Sequence, residues 1–357
     1  MRRSGIPSLL VSLLVLCGIM LSACGGSSPS TSTGGGNSTS SAPKSVTLVT
    51  DIGGLNDQSF NQSAYVGYTK AMGELKFRRQ VIESKSQNDY VGNLTRAAQT
   101  SDLVIGVGFL MATAMDQVAK ANPTKSFALI DACPSDAKGN CDPLKNVAPL
   151  YFKEQQAGCL AGVVAGEMET LGKSKASKLL GNNTIGAVGG QSIPPVDHYI
   201  AGYQFCAKKV DPKVTVKVNY SNSFDNTAAC QDIANNQIGA SKADIIFQVA
   251  GGCGVGALQA AKAKGVYSIG VDSDQSHVND SVITSAVKRV DQAVYITIKN
   301  FESGKFSNNP APFDLTNDGV GYAPLSSQVP AEVKPVVDKY IQDIKSGALQ
   351  VPDTVQK

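Results

Sequence analysis

The sequence predicts an α/β protein of two lobes, each built on a parallel sheet, and three observations carry that expectation. Short β-branched apolar runs alternate with amphipathic helical stretches, the order required by parallel strands joined through right-handed crossovers. The chain's 357 residues exceed the roughly 250 to 300 at which a single core stops growing. Glycines and aspartates recur at the ends of the strand-like runs, where open parallel sheets hold their ligands.

The first element is "MRRSGIPSLLVSLLVLCGIMLSAC". Its basic start, apolar run from Leu9 to Leu21 and small-residue end have the layout of a secretory leader over residues 1–23. The run is too short to span a bilayer comfortably. Leu21-Ser22-Ala23-Cys24 resembles the bacterial lipobox, which makes Cys24 the expected lipidation site and membrane anchor. Residues 24–43 continue as a Gly/Ser/Thr tract with no apolar side chain able to join a core. The 19 residues from Gly25 to Pro43 would reach roughly 25 Å as a flexible coil, so the tract reads as a tether.

Strands are expected at "SVTLVTD", "RQVIES", "SDLVIGVG", "SFALID" and "VAPLYF", and in a second set at "TIGAVGG", "VTVKVNY", "ADIIFQVA", "YSIGVD" and "VITSAV". Helices are expected to begin near Ser59, Asn88, Ala112, Glu154, Pro195, Thr227, Gly254 and Gln292. Apolar spacing at i, i+3 and i+4 is clear in "AYVGYTKAMGEL" and "EQQAGCLAGVVAGEM". The strand ends carry Asp51, Gly106 and Gly108, Asp131, Gly189 and Gly190, Gly251 and Gly252, and Asp272. Two sheets presenting those ends to one another would enclose a cleft.

Charge and cysteine usage narrow the function. The net charge of +3 falls to +1 without Arg2 and Arg3, which gives no surface for nucleic acid or for polybasic membrane binding. Cys17 leaves with the leader and Cys24 is the expected lipid site. The remaining Cys133, Cys141, Cys159, Cys206, Cys230 and Cys253 form an even set, which in an exported chain favours disulfides over metal ligation. No CxxC occurs and the only histidines are His198 and His277, so no metal site is expected. Six cysteines allow 15 pairings, and sequence proximity suggests only Cys133 with Cys141, across "PSDAKGN".

An enzyme would need a recognisable nucleophile, acid-base pair, metal site or phosphate loop. GxSxG, HExxH, Walker A and EF-hand patterns are all absent from the sequence, and His198 reads as a helix-surface residue. One motif does point to a nucleotide enzyme: in "VAGGCGVGALQAA", Gly252, Gly254 and Ala257 fit GxGxxG/A, with Asp272 at the distance a ribose-binding acid takes. A secreted nucleotide-dependent oxidoreductase is therefore a rival. Against it, the motif lies deep in the chain, and an exported protein meets little nicotinamide cofactor. The same pieces also suit a binding site without cofactor, in which glycine amides approach a ligand while a carboxylate grips a ribose diol.

The segments "VTDIGGLNDQSFNQSAYVGYTKA", "FKEQQAGCLAGVVAGEM", "IGAVGGQSIPPVDHYIAGYQFCAK", "ADIIFQVAGGCGVGALQAAKAKGVYSIGVDSDQ" and "VITSAVKRVDQAVY" resemble, in this order, the basic membrane protein family of substrate-binding lipoproteins of ABC transporters, nearest its purine nucleoside receptor branch. The resemblance implies a type I periplasmic-binding-protein fold: two doubly wound Rossmann-like lobes joined by three hinge crossovers. It implies a first lobe of residues 44–150 plus 287–308 and a second of 151–286 plus 309–350. Crossovers are then expected near Val147 to Phe152, near Val282 to Lys288, and just before "PFDLTNDGVGYAP". The implied activity is not enzymatic: a monomer would bind adenosine, guanosine or inosine and deliver it to the permease and ATPase subunits of an importer.

A purine has a flat π face and a polar edge, which call for aromatic plates and paired donors and acceptors. By the resemblance, Phe60 in "SFNQ" is the stacking ring of the first lobe, and Phe224 in "NSFDN" is a plate from the second. Asn61, Asp51 and Asp131 are expected at the base edge. Asp272 is expected to grip the ribose hydroxyls, helped by the Gly251 and Gly252 backbone and by Lys288. Asp57 is assigned to capping the following helix, and Asp274 and Gln275 to holding their own loop. Sugars, thiamine or a signalling furanose, bound by a sensor of the same fold, are the alternative ligands.

Overall fold

The computed structural model describes residues 42–356; the leader, Cys24 and all but the end of the tether lie outside the described residues. The first five strand-like runs form one parallel sheet. Its members are β1 (Ser45–Val49), β2 (Arg78–Ile82), β3 (Leu103–Gly106), β4 (Ser126–Ile130) and β5 (Val147–Leu150), in the order β2-β1-β3-β4-β5. The second sheet holds β6 (Thr184–Gly189), β7 (Thr215–Tyr220), β8 (Ile245–Val249), β9 (Tyr267–Asp272), β10 (Val282–Lys288) and β11 (Val320–Tyr322). Its order is β11-β10-β9-β8-β6-β7, parallel except for β11 against β10. Strands β1, β3, β6 and β8 read as near-continuous apolar runs because helices cover both faces of each sheet.

The helices are α1 (Phe60–Glu74), α2 (Tyr90–Thr100), α3 (Ala112–Ala121), α4 (Glu154–Leu171), α5 (Pro194–Val210), α6 (Thr227–Gly239), α7 (Gly251–Lys264), α8 (Val290–Glu302) and α9 (Val333–Lys345). In each sheet the strand order reverses around its first strand, β1 between β2 and β3 and β6 between β7 and β8. Connections diverge to opposite faces there and leave a crevice at the carboxyl ends, where such folds bind ligands. Asp51 and Gly108 follow the strands at one crevice, and Gly190 and Gly251 those at the other.

The sheets are linked by neighbouring stretches of chain. After β5, Tyr151 O accepts from Phe313 N at 2.8 Å, Phe313 O accepts from Lys153 N at 2.9 Å, and the Phe152 and Phe313 rings stack with centroids 4.9 Å apart. Val282–Lys288, expected as a crossover, pairs wholly within the second sheet, and the chain departs from it only at Arg289. From there α8 packs on α1, where a Cβ at Gly67 would stand 2.0 Å from Asp291 O. Only glycine permits that approach.

Three disulfides staple the body. Cys133–Cys141 closes the expected short loop, Cys159–Cys206 joins α4 to α5, and Cys230–Cys253 joins α6 to α7. Such crosslinks typically contribute about 2 to 4 kcal/mol each. The α4–α5 contact also depends on small residues, since a Cβ at Gly158 would lie 2.0 Å from Tyr199 O. That contact brings the start of α4, with Glu154, alongside Tyr199.

Candidate functional site

Between the carboxyl ends of the two sheets lies a cleft whose unfilled space, counted out into open solvent, is about 580 Å³. Asp51, Asp57, Phe60, Asn61, Phe109 and Asp131 line it from the first sheet's side. Ile193, Val196, Tyr199, Phe224, Gly251, Asp272 and Lys288 line it from the second's. A neighbouring hollow, open to solvent, shares Phe109, Asp131 and Pro195 but carries few of the strand-end residues.

Local chain geometry sets up the first wall. Asp57 accepts from the amides of Ser59, Asn61 and Gln62 at 3.0, 2.8 and 3.1 Å, so it terminates α1 as a capping carboxylate. Burial still raises its pKa against those three amides. Asp51 accepts from Ile52 N at 2.7 Å and from the Tyr90 hydroxyl. Burial, reinforced by the charge of Asp57, outweighs these donors and raises the Asp51 pKa to about 6.

Two expected roles need correction. Asn61 offers no spare hydrogen to a base edge: Nδ2 donates to Ile52 O at 3.2 Å and to Asp57 Oδ2 at 3.1 Å, while Oδ1 accepts from Asp51 N at 2.9 Å. It shapes the wall instead. Gly252 is absent from the cavity lining; it packs under the Phe224 carbonyl, 3.4 Å from where its Cβ would be, and beside Asp57. Gly251, with φ of 54°, does face the cavity.

At the floor Lys288, only 2 % exposed, donates to Asp131 Oδ2 at 2.7 Å and to Glu154 Oε1 at 3.3 Å. Its ammonium lies 4.8 Å from the Phe60 ring centroid, 5.2 Å from Phe152 and 5.8 Å from Tyr199, so it is ringed by aromatic faces. Burial alone would lower its pKa, but Asp131, Glu154 and Asp272 together outweigh burial and raise it. The lysine is charged. Asp131 is raised by burial despite Lys288, and its Oδ1 has no hydrogen-bond partner among the described residues. Asp131 and Asp272 both adopt left-handed backbone, with φ of 70° and 61°, a conformation that side chains tolerate mainly in constrained sites.

Asp272 closes the second wall. Its Oδ2 accepts from Ser59 Oγ at 2.6 Å and its Oδ1 from Tyr199 Oη at 3.3 Å; burial raises its pKa, with Lys288 opposing. Phe224 lies over Gly190, where a Cβ would stand 2.3 Å from the ring. Thus Asp51, Phe60, Asp131, Phe224, Gly251, Asp272 and Lys288 meet at one cavity.

Sequence reasoning missed Glu154, Tyr199 and Ser59. The available signals were an acidic residue opening the otherwise apolar helix "EQQAGCLAGVV" and a tyrosine in the first turns after β6. His198 is no bare surface residue either, since its Nδ1 stands 3.2 Å from Glu154 Oε2. The dinucleotide motif has other tasks as well. A Cβ at Gly254 would be 1.7 Å from Gln248 Oε1, and Cys253 N already donates to Phe224 O at 2.9 Å, so these positions serve packing rather than a pyrophosphate.

Two doubly wound sheets facing each other across an aromatic and carboxylate-lined cleft define a solute-binding protein of the type I periplasmic class. The family model described as ABC transporter substrate-binding protein PnrA-like matches residues 44–355, and the chain belongs to that family. It is an ABC transporter solute-binding protein, not an enzyme. It is 32 % identical to the CD4+ T-cell-stimulating antigen of Listeria innocua over 97 % of this chain and 98 % of the relative. It is 31 % identical to the ABC transporter nucleoside-binding protein BmpA of Lactococcus lactis over 85 % and 88 %. A solved solute-binding protein of an ABC transporter system from Aeropyrum pernix superposes with a TM-score of 0.78 at 26 % identity, covering 88 % of this chain and 94 % of the other. No helix among the described residues is long and apolar enough to cross a membrane.

Proposed function

We propose that this protein is a lipid-anchored extracytoplasmic receptor that binds a purine nucleoside and delivers it, as a monomer, to the permease and ATPase subunits of an importer. The observation that carries the reading is the meeting of Phe60, Phe224, Asp272 and Lys288 at one cavity. Aromatic faces suit a flat base, and a buried carboxylate suits the ribose hydroxyls. The nucleoside-binding description of the Lactococcus relative supports the same ligand class. Residues 44–150 with 289–308, and 151–288 with 309–350, are the two lobes that move in this reading, the boundary falling at Arg289 rather than at residue 287 because all of β10 belongs to the second sheet; the hinge lies at the paired Tyr151–Lys153 and Phe313 segments. Cys24 holds the body to the membrane through the tether.

Calorimetric titration of protein lacking the leader and Cys24 with adenosine, guanosine and inosine tests the proposal; absence of heat with all three overturns it. Phe60→Ala is expected to weaken binding by about 1 to 3 kcal/mol, the usual worth of a base–aromatic stack. The variant should remain folded, which circular dichroism checks.

A further inference from the structure

Ser59 stands at the N-terminal boundary of α1, where its carbonyl accepts the first helical bond from Ser63 N at 2.9 Å. A serine there ordinarily caps the helix with its hydroxyl, yet this one makes no capping bond. Asp57 has taken the amides of Ser59, Asn61 and Gln62 instead. The Ser59 hydroxyl is thereby released from its own helix and reaches the opposite wall, donating to Asp272 Oδ2 at 2.6 Å and lying 3.3 Å from Val271 O.

The preceding residue joins the same contact. Gln58 O accepts from Gln275 Nε2 at 3.0 Å and from Ser273 Oγ at 3.2 Å. Gln275 is completely buried and held in its own half by Gln248 Nε2 and Val271 N, both donating to its Oε1, so its amide hydrogens are directed across the cleft. Gln58 and Asp272, each next to these bonds on its own side, both have left-handed backbone, φ of 55° and 61°.

The geometry points to a latch across the cleft in which Ser59 couples closure to recognition of a vicinal diol. Each Asp272 oxygen accepts one protein hydrogen, Oδ2 from Ser59 and Oδ1 from Tyr199. A carboxylate oxygen has two acceptor sites, so one remains on each, side by side at the cavity wall. Two adjacent acceptors fit the cis 2′- and 3′-hydroxyls of a ribose, and a 2′-deoxy sugar satisfies only one. Ser59 orients this pair only while the halves are together. This inference rests on the nucleoside reading of the site.

The test compares wild type, Ser59→Ala and Ser273→Ala, using adenosine and 2′-deoxyadenosine in calorimetry and small-angle scattering for the radius of gyration. Ser59→Ala keeps the Asp57 cap and is expected to fold. Its adenosine affinity should fall about tenfold, the worth of one hydrogen bond to a charged group, its preference for ribose over deoxyribose should shrink, and its radius of gyration should rise. Ser273→Ala should raise the radius of gyration while keeping the sugar preference, because it loosens the latch without touching Asp272. A folded Ser59→Ala protein with the wild-type sugar preference overturns the coupling. If wild type binds neither compound, the nucleoside reading has failed, and scattering alone judges the latch: expansion in either variant supports it, and unchanged radii in both overturn it.

Discussion

The protein buries two groups of carboxylates, and they are balanced in different ways. At the cleft floor Asp131, Glu154 and Asp272 surround the ammonium of Lys288. At the other end of the second sheet, Glu169 of α4, Asp244 just before β8 and Asp211 after α5 gather without a lysine or arginine in contact among the described residues. Asp244 Oδ2 accepts from Leu180 N at 2.6 Å; Asp244 Oδ1 and Glu169 Oε1 find no donor as long as both carboxyls are ionised, and Tyr203 Oη has no partner among the described residues. Burial, then the hydrogen bond and charge of Asp244, raise the Glu169 pKa to about 9. One group is partly balanced by a fixed cation; the other, without one, is balanced by a proton held on Glu169. Asp131 and Asp272 of the first group open on the cavity, whereas none of the second group lines it.

Removing the cation should expose the contrast most strongly. Lys288→Met leaves Asp131 and Glu154 buried without their counter-charge, a change that typically costs about 3 to 5 kcal/mol. Urea unfolding at pH 7.5 should show that loss. At pH 5 it should be smaller, because burial raises the Asp131 pKa and its protonation removes part of the uncompensated charge. An equal loss at both pH values would mean that packing, not charge, is what Lys288 supplies.

The proton-balanced group makes the opposite prediction. The folded protein holds a proton on Glu169 that the unfolded chain releases above its ordinary pKa of 4.5. That group's contribution is therefore complete below pH 4.5 and is lost as pH rises toward and through about 9. Glu169→Gln keeps a donor for Asp244 and cannot ionise, so it should flatten the slope and gain about 1 to 2 kcal/mol at pH 8.5 after allowance for partial solvent access. A variant less stable than wild type throughout that range would refute the proton on Glu169.

Asp51 gives the smallest effect of the three. Its pKa, raised by burial from 3.8 to about 6, gives stability that is present below pH 3.8 and lost as pH rises through 6. Asp51→Asn retains an acceptor for Tyr90 and Ile52 and should remove that slope, leaving the variant about 1 kcal/mol more stable at pH 7. Comparison of the unfolding free energies of variant and wild type at pH 4 and pH 7 measures it.

Much of the fold could be read along the chain because strands and helices announce themselves locally. The ten strand-like runs each correspond to a strand, whereas β11 escaped notice because "VGY" is too short to show a period. The other expected helix starts fall within two residues of the observed ones; the largest shift is at α7, which begins at Gly251 rather than Gly254, where glycines blur the pattern. At the site, strand-end position was enough to mark Asp51, Asp131 and Asp272. It could not show that Asn61 spends its amide on Ile52 and Asp57, or that Gly252 packs against the Phe224 carbonyl and Asp57.

The sequence by itself determined the alternation of elements, the division into two sheets and the polar character of their carboxyl ends, because periodicity and turn chemistry act over a few residues. Only the tertiary structure decided which acid meets which partner. Lys288 is separated from Asp131 by 157 positions and Ser59 from Asp272 by 213, and hydrogen-bond directions depend on geometry within a few tenths of an ångström. Such contacts follow from how α1, α4, α5 and the strand ends pack, and that packing is a property of the whole chain.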